Sequence, residues 1–221
     1  YHHQILGFIL QQGNFMKFAL KTALLTTMLS VATLAQANFV EGQDYKVLPN
    51  PETIAGDVIV VREFFWYGCP HCYHLEPHMQ KWAKTRPADV AFFQTPAAMN
   101  PVWEVGARGF YAAQQLDAQE KTHQALFDAV HKDGNRNIIS SQQELGNWYA
   151  SKGIDKAKFD SLYNSFAVTT KIERAKAAAT RYGLSGVPAV VVHGKYVVSG
   201  EDAKVPQVVD FLINKVREEK Q

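Results

Sequence analysis

The sequence predicts an α/β fold in which one sheet is interrupted by a helical insertion. Three observations support this: a strand–helix–strand unit over residues 58–94, no convincing strand over residues 101–182, and a hairpin followed by a helix over residues 188–219. Strand, helix and strand in that order form a βαβ unit with two parallel strands. The later hairpin and helix are then expected to complete the same sheet.

The first strand of this unit is an apolar segment, Val58–Trp66, rich in β-branched and aromatic residues. That composition predicts a strand buried on both faces. A helix follows from about Cys69 to Arg86, with Pro70 in its first turn, where a missing N–H costs nothing. Its apolar residues recur at helical spacing: Cys72, Leu75, Met79 and Trp82. Val90–Gln94 is the second buried strand.

Only helices are predicted between residues 101 and 182. Two of them cover residues 102–116 and 118–132, a third begins at the capping box Ser141-x-x-Glu144, and a fourth follows Asp155. Another, over residues 171–183, is rich in good helix formers and ends at Gly183.

The pattern then changes to a hairpin and a last helix. Residues 188–200 predict two strands joined by a turn at Gly194-Lys195, and a helix begins at about Val205. This order predicts that residues 38–100 and 183–221 are two parts of one domain. Residues 101–182 are then an inserted, all-helical domain.

Residues 16–37 have the features of a secretory signal peptide. Lys17 and Lys21 form a positive segment, residues 23–34 are apolar, and Ala35-Gln36-Ala37 is an A-x-A cleavage signal. The apolar segment is too short to span a bilayer comfortably. Residues 1–15 precede this segment and are interpreted as an upstream extension outside the fold. Export would place the mature chain, residues 38–221, where disulfides persist.

The charge of the mature chain argues against one class of partner. Without Lys17 and Lys21, the 23 basic residues become 21 and balance the 21 acidic ones. A neutral chain without a basic stripe gives no support to nucleic-acid binding.

The two cysteines of the chain, Cys69 and Cys72, are separated by Pro70 and His71. Cys69 falls at the predicted helix N-terminus, where unpaired N–H groups and the helix dipole favour a thiolate. Cys72 lies one turn further on, on the buried face. This pattern predicts an exposed sulfur that attacks and a shielded sulfur that resolves a mixed disulfide. Pro70, which stiffens the turn, and His71, a source of positive charge, should tune the redox poise.

Other chemistries fit the two cysteines less well. A zinc site usually needs a second cysteine pair, although His71, His74 and His78 are further ligand candidates. A c-type haem signature needs histidine directly after the second cysteine, where this chain has Tyr73. A purely structural disulfide would close a very small loop and stabilise the fold weakly.

The segment EFFWYGCPHCY, together with GVPAVVVHGKY over a hundred residues later, resembles the DsbA family of periplasmic thiol:disulfide oxidoreductases. The resemblance covers nearly all of the mature chain. It implies a thioredoxin-like fold with an inserted all-helical domain, and a periplasmic location. Cys-Pro-His-Cys separates this family from thioredoxins and protein disulfide isomerases, which typically have Cys-Gly-Pro-Cys and Cys-Gly-His-Cys.

By position, the resemblance implies that Cys69 is the nucleophile and Cys72 its buried partner, with Pro70 and His71 tuning the pair. Val187-Pro188 matches the cis-proline loop of the family, which faces the cysteines and pairs with the substrate backbone.

The resemblance also implies a role for an acid beneath the cysteines. Glu63 matches a buried acid that assists proton transfer to the second cysteine. Some relatives pair this acid with a lysine on the next strand, where this chain offers Gln94. Glu76 matches an acid of some relatives and is expected to be solvated.

The surface around the cysteines is expected to be apolar and permissive. We expect Trp66, Tyr67, His71 and the Val187-Pro188 loop to border it, and Phe64 and Phe65 to lie in the core.

These observations predict a disulfide oxidase that transfers its Cys69–Cys72 disulfide to newly exported polypeptides with free thiols. The resemblance implies reoxidation by a DsbB-like quinone-linked membrane protein. No bound cofactor and no metal are expected, and the protein is expected to be a monomer.

Two other classes stay open at this point. A reductase or isomerase could use the same fold, although a DsbC-like isomerase normally has an additional dimerisation domain, for which residues 38–57 are too short. A periplasmic chaperone or binding module with an idle cysteine pair is the other class.

Overall fold

The computed structural model describes residues 38–220. The predicted upstream extension, residues 1–15, and the predicted signal peptide, residues 16–37, lie outside the described residues, so both stay predictions. Among residues 38–220, no helix combines the length and the apolar character needed to cross a membrane.

Five strands and seven α-helices make up the described chain. The strands are β1 Lys46–Val47, β2 Ile59–Phe65, β3 Val90–Pro96, β4 Ala189–Val192 and β5 Tyr196–Val198. The helices are α1 Pro70–Thr85, α2 Pro101–Gln115, α3 Gln119–His131, α4 Gln142–Ser151, α5 Lys156–Tyr163, α6 Phe166–Arg181 and α7 Lys204–Glu219. A 3-10 turn covers Arg136–Ile139.

The strands form one mixed sheet in the order β1-β5-β4-β2-β3. β2 pairs with β3 in parallel, as the βαβ unit predicts, and with β4 antiparallel. Glu63 lies on β2 directly between Gln94 on β3 and Val190 on β4. The sheet therefore places this acid among paired strands, and Cys69 follows it in the chain after the end of β2 and a short turn.

The two faces of the sheet are covered by different helices. Ile59 and Val61 belong to an apolar cluster with residues of α1 and α7. Phe64, which points to the opposite face because side chains alternate along a strand, packs with Ala179 and Tyr182 at the end of α6. The sheet is thus enclosed between helices, and both Phe64 and Phe65 are fully buried, as predicted.

The predicted sheet, interrupted by a block of helices, is confirmed in its main elements, and two local differences are worth noting. α6 begins at Phe166, five residues before the predicted start at residue 171, because the Ser165 hydroxyl accepts a hydrogen bond from the N–H of Val168 and caps the helix. β1 was not predicted, since it has two residues, both exposed, and forms only by pairing with β5.

The predicted helical block also has the expected element types. No strand is found between residues 101 and 182 of the described chain. Both predicted domain boundaries coincide with helix ends, because α2 begins at Pro101 and Tyr182 is the C-cap of α6. The division into two domains itself stays a prediction.

Candidate active site

Cys69 is the N-cap residue of α1. Its backbone is extended, and its sulfur accepts a hydrogen bond from the N–H of Cys72 at 3.2 Å. Pro70 occupies the first turn, as the sequence predicts. Both cysteines are free thiols; Cys69 is 6% exposed and Cys72 is fully buried. Cys69 is therefore more shielded than the sequence predicts, although it remains the more accessible of the two.

The two thiols differ strongly in acidity. The pKa of Cys69 is lowered from 9.0 to about 6, first by a hydrogen bond from the Cys72 side chain, then by the N–H groups of Cys72 and His71 and by the charge of His71. Burial raises the pKa of Cys72 far above its usual range, and the adjacent Cys69 adds to this shift. At neutral pH the pair therefore holds one thiolate, on Cys69, and one thiol.

The loop before β4 faces Cys69. The Val187-Pro188 peptide bond is cis. The carbonyl oxygen of Val187 lies 3.6 Å from the Cys69 sulfur. The same loop lines an open groove of about 390 Å³, together with His71 and Glu201. The structure thus brings together the cysteines and the predicted proline loop, which are more than a hundred residues apart in sequence.

His71 points away from the protein interior and contacts a carboxylate. Its Nδ1 atom lies 2.6 Å from Oε2 of Glu201, and Nδ1 of His74 lies 2.9 Å from the same oxygen. The hydrogen bond to Glu201 raises the pKa of His71, which favours its charged form. The Glu201 carboxylate therefore stabilises the positive charge that the sequence predicts for His71, although no local pattern in the sequence points to Glu201.

Glu63 is fully buried beneath the cysteines. Burial, followed by the nearby charge of Glu76, raises its pKa well above the usual value, which favours the protonated carboxyl. Oε2 of Glu63 accepts a hydrogen bond from the Gln94 amide at 3.2 Å. Oε1 has no hydrogen-bond partner among the described residues. A charge on Glu63 would raise the pKa of Cys72 further, which shows that the two groups are close enough to interact.

Glu76 corrects one expectation, because it is fully buried rather than solvated. Its Oε1 atom lies 3.0 Å from Nε2 of His123 on α3, and the Gln94 amide lies 3.2 Å from its other oxygen. Burial raises the pKa of Glu76, but the charge and hydrogen bond of His123 outweigh it and lower the pKa overall. Buried acids require such partners, and here the helical insertion supplies one.

Gln94 joins the two acids. Its amide nitrogen lies within 3.3 Å of both Glu63 and Glu76. The register of the parallel pair places Gln94 opposite Glu63, at the position where the sequence offers it. The side chain that approaches Glu76 is instead the imidazole of His123.

The aromatic residues before Cys69 have two different roles. Tyr67 is 1% exposed, and its hydroxyl lies 2.8 Å from Nδ1 of His123. It therefore belongs to the core, and the prediction that it borders the surface around the cysteines is wrong. Trp66 is half-buried and stacks on Trp103, with ring centres 4.8 Å apart. Gly68 lies against this ring so closely that an added Cβ would be 2.3 Å from Trp66.

Several site residues were missed at the level of sequence. Nε2 of His131 lies 2.7 Å from the carbonyl oxygen of Tyr67, and Arg136 donates to the carbonyl oxygen of Gly68 at 3.1 Å. Both residues come from the helical insertion and fix the chain that leads into Cys69. The sequence offers only a weak signal for the histidines of the site. His123 and His131 fall on the apolar face of α3, where a histidine can be a core residue as readily as a site residue.

Comparison with known proteins agrees with this geometry. A family model described as a DSBA-like thioredoxin domain matches residues 95–210. The thiol:disulfide interchange protein DsbA of Pseudomonas aeruginosa is 38% identical over 209 residues, which cover 90% of this chain and 98% of that protein. The chain belongs to the DsbA family.

Further relatives of the DsbA family extend this result. The thiol:disulfide interchange protein DsbA of Azotobacter vinelandii is 38% identical over 89% of this chain and 93% of its own length. A crystal structure of Pseudomonas aeruginosa DsbA superposes with a TM-score of 0.76 at 36% identity, covering 82% of this chain and 96% of that one.

A second solved structure of a DsbA protein has a similar fold. The oxidoreductase DsbA from Xylella fastidiosa has a TM-score of 0.74 at 32% identity and covers 81% of this chain and 98% of its own. The predicted fold and the prediction of a thiol:disulfide oxidoreductase of the DsbA family are confirmed by these comparisons.

Proposed function

We propose that this DsbA-family protein is a disulfide oxidase, which donates the Cys69–Cys72 disulfide to newly exported polypeptides with free thiols. One observation supports the direction: the Cys69 sulfur caps α1 and accepts the N–H of Cys72, whereas Cys72 is buried without access to solvent. This arrangement stabilises the reduced pair as a Cys69 thiolate and a Cys72 thiol. A stabilised reduced form makes the disulfide form a stronger oxidant.

In the first step, a substrate thiolate attacks the Cys69 sulfur of the disulfide. A bond forms between Cys69 and the substrate, the Cys69–Cys72 bond breaks, and Cys72 leaves with the electron pair. A thiolate at Cys72 is unfavourable because the site is buried. The protonated Glu63 carboxyl is the proton donor for Cys72, directly or through a water molecule, and the Gln94 amide stabilises the carboxylate that remains.

In the second step, a second substrate thiolate attacks the substrate sulfur of the mixed disulfide. The substrate disulfide forms, and Cys69 leaves as a thiolate. Departure is favoured because the N–H of Cys72 and the helix N-terminus stabilise that thiolate. The protein ends reduced and the substrate oxidised by two electrons.

The groove beside Cys69 is the proposed docking site for the substrate backbone. Val187, which precedes β4, and His71 both line this groove. An extended peptide can pair there with the main chain of residue 187, as peptides do when they add to the edge of a sheet. Main-chain pairing is independent of side-chain identity, which suits a broad range of unfolded substrates.

Membership of the DsbA family supports a proposal for the location, the oligomeric state and the redox partner of this protein. We propose a periplasmic location after removal of residues 16–37, action as a monomer, and reoxidation by a DsbB-like quinone-linked membrane protein. No bound cofactor is needed for the exchange itself, since both redox equivalents reside on the two sulfurs.

Complementation tests the proposal most simply. Cys69→Ser should abolish disulfide formation in a bacterial strain that lacks its own periplasmic disulfide oxidase, whereas Cys72→Ser should accumulate mixed disulfides with substrates that can be separated on non-reducing gels. Wild-type levels of disulfide formation with Cys69→Ser would refute the oxidase and favour a binding module. Complementation of an isomerase-deficient strain, but not of the oxidase-deficient strain, would favour the isomerase alternative.

A further inference from the structure

Three potential metal ligands converge at the edge of the groove, outside the redox chemistry itself. His71 and His74 are one helical turn apart on the first turns of α1, so their side chains lie on the same face. Glu201 approaches from the loop between β5 and α7. One donor atom from each residue lies within 4.8 Å of the other two.

The position of Glu201 is set by the backbone. Gly200, the preceding residue, has a φ of 148°, a conformation that favours glycine, and a Cβ there would lie 2.9 Å from Val205. The following residue, Asp202, accepts a hydrogen bond from the N–H of Lys204 at 2.9 Å and so fixes the loop to the start of α7. The carboxylate is therefore directed at the two histidines by its loop.

We propose that His71, His74 and Glu201 form a binding site for zinc or a related divalent transition-metal ion. Two imidazole nitrogens and one carboxylate oxygen are a known protein ligand set for zinc, which completes its tetrahedral coordination with water or another ligand. Nitrogen ligands favour zinc and related transition metals over magnesium or calcium, which prefer oxygen. The side chains are accessible, with 64% of His71, 58% of His74 and 43% of Glu201 exposed, so an ion can enter.

The distances fit a site that opens slightly on binding. Oε2 of Glu201 lies 2.6 Å and 2.9 Å from the two Nδ1 atoms. Metal–ligand bonds of about 2.0 to 2.1 Å in tetrahedral geometry separate neighbouring ligand atoms by roughly 3.4 Å. The exposed side chains therefore need to move apart by less than 1 Å at each of the two Glu201–histidine contacts.

Binding at this site would have a consequence for the redox groove. His71 and Glu201 line the groove beside Val187-Pro188. A bound ion would join α1 to the loop between β5 and α7, whose residues Ser199, Gly200 and Glu201 also line this groove. The site is thus placed to reduce substrate access when zinc is present.

The test measures zinc binding in a protein that cannot use its thiols as ligands. The Cys69→Ser/Cys72→Ser protein is titrated with ZnCl₂ by isothermal calorimetry, and its Tm is recorded with and without the ion. His74→Ala and Glu201→Gln are made in the same background. His78→Ala is the matched control, because it removes a histidine of the same helix that does not belong to the cluster. MgCl₂ is the control ion.

We expect one zinc ion per chain, a rise in Tm on binding, and no response to magnesium. Loss of an outer-shell partner of a bound metal lowers affinity by about 10- to 100-fold, so loss of a direct ligand in His74→Ala or Glu201→Gln should cost at least about tenfold. His78→Ala should bind as the parent does. Absence of saturable binding, unchanged affinity in His74→Ala or in Glu201→Gln, or an equal loss in His78→Ala would overturn the proposal. Because the thiols are absent, none of these outcomes bears on the oxidase activity.

Discussion

The lowered pKa of Cys69 makes the stability of the reduced protein depend on pH in a defined way. The pKa falls from 9.0 in the ordinary thiol to about 6 in the folded protein. A group whose pKa is lowered by folding stabilises the fold above its unfolded pKa, and this contribution is lost as the pH falls through the folded value. The reduced protein should therefore lose stability relative to the disulfide form between pH 8 and pH 6.

The magnitude follows from the two pKa values. At pH 7 a thiol with a pKa of about 6 is roughly 90% ionised, whereas one with a pKa of 9.0 is roughly 1% ionised. The linked contribution to the free energy of unfolding is then about 2.7 kcal/mol at pH 8, about 1.4 kcal/mol at pH 7 and about 0.4 kcal/mol at pH 6. These are upper values, because the groove beside Cys69 is open and solvent screens the charge.

The assay is guanidinium unfolding of the reduced and the oxidised protein in parallel, with a chelator present. Carboxylates and histidines titrate in both forms, so the difference between the two free energies of unfolding isolates the thiols. Cys72 contributes little below pH 8, since its folded pKa is raised and its unfolded thiol is still protonated there. We expect the difference to shift in favour of the reduced form by about 2 kcal/mol from pH 6 to pH 8. A difference that is constant over this interval, or of opposite sign, would refute the stabilised Cys69 thiolate.

The buried acids give two further predictions. Glu63→Gln removes the proposed proton donor for Cys72 and should slow formation of the mixed disulfide with a reduced peptide by about tenfold or more, measured by stopped-flow fluorescence. An unchanged rate would exclude the proposed role of Glu63. The pKa of Cys69 is the control, because a change in it would mean that the variant disturbs the site more widely. His123→Ala leaves the Glu76 carboxylate buried without its partner and should lower the free energy of unfolding by about 3 kcal/mol. His78→Ala, on the same helix as Glu76 but outside the hydrogen-bond network of Glu63, Glu76, Gln94 and His123, should change the free energy of unfolding by less than about 0.5 kcal/mol. Similar losses in both variants would show that the His123–Glu76 contact contributes no particular stability.

Local patterns in the sequence account for most of the fold and for the redox pair. The apolar strand before Cys69, the helical spacing after it and the capping residues Ser141 and Asp155 act over a few residues, so their effect can be predicted without tertiary structure. The position of Cys69 at the start of α1 follows from the same signals.

The burial of Glu76 agrees with its position in the helical spacing of α1, although its acidic character favours solvent. Cys72, Leu75, Glu76 and Met79 fall on one face of α1, and all four are fully buried. The spacing placed Glu76 in the core, but its acidic character favoured solvent. Its partner, His123, comes from a helix more than forty residues away, so the sequence alone does not show that the charge is compensated.

Glu201 and β1 had no comparable local signal. Glu201 meets His71 across 130 residues of sequence. β1 exists only through its pairing with β5. Tyr67 was misassigned to the surface for a related reason, because its hydroxyl is satisfied by His123 within the core and does not need water. In each case a contact between distant segments decides the environment.

The central claim is that the Cys69–Cys72 pair is poised to oxidise other proteins, and its equilibrium with glutathione tests this most directly. The oxidised protein is mixed with defined ratios of reduced and oxidised glutathione, and the fraction reduced is followed by the fluorescence of Trp66 and its stacked partner Trp103. We predict a reduction potential above about −200 mV, at which the reduced form is favoured over the disulfide in most mixtures. A potential near that of a reducing thioredoxin, about −270 mV, would contradict the account and assign the protein to disulfide reduction.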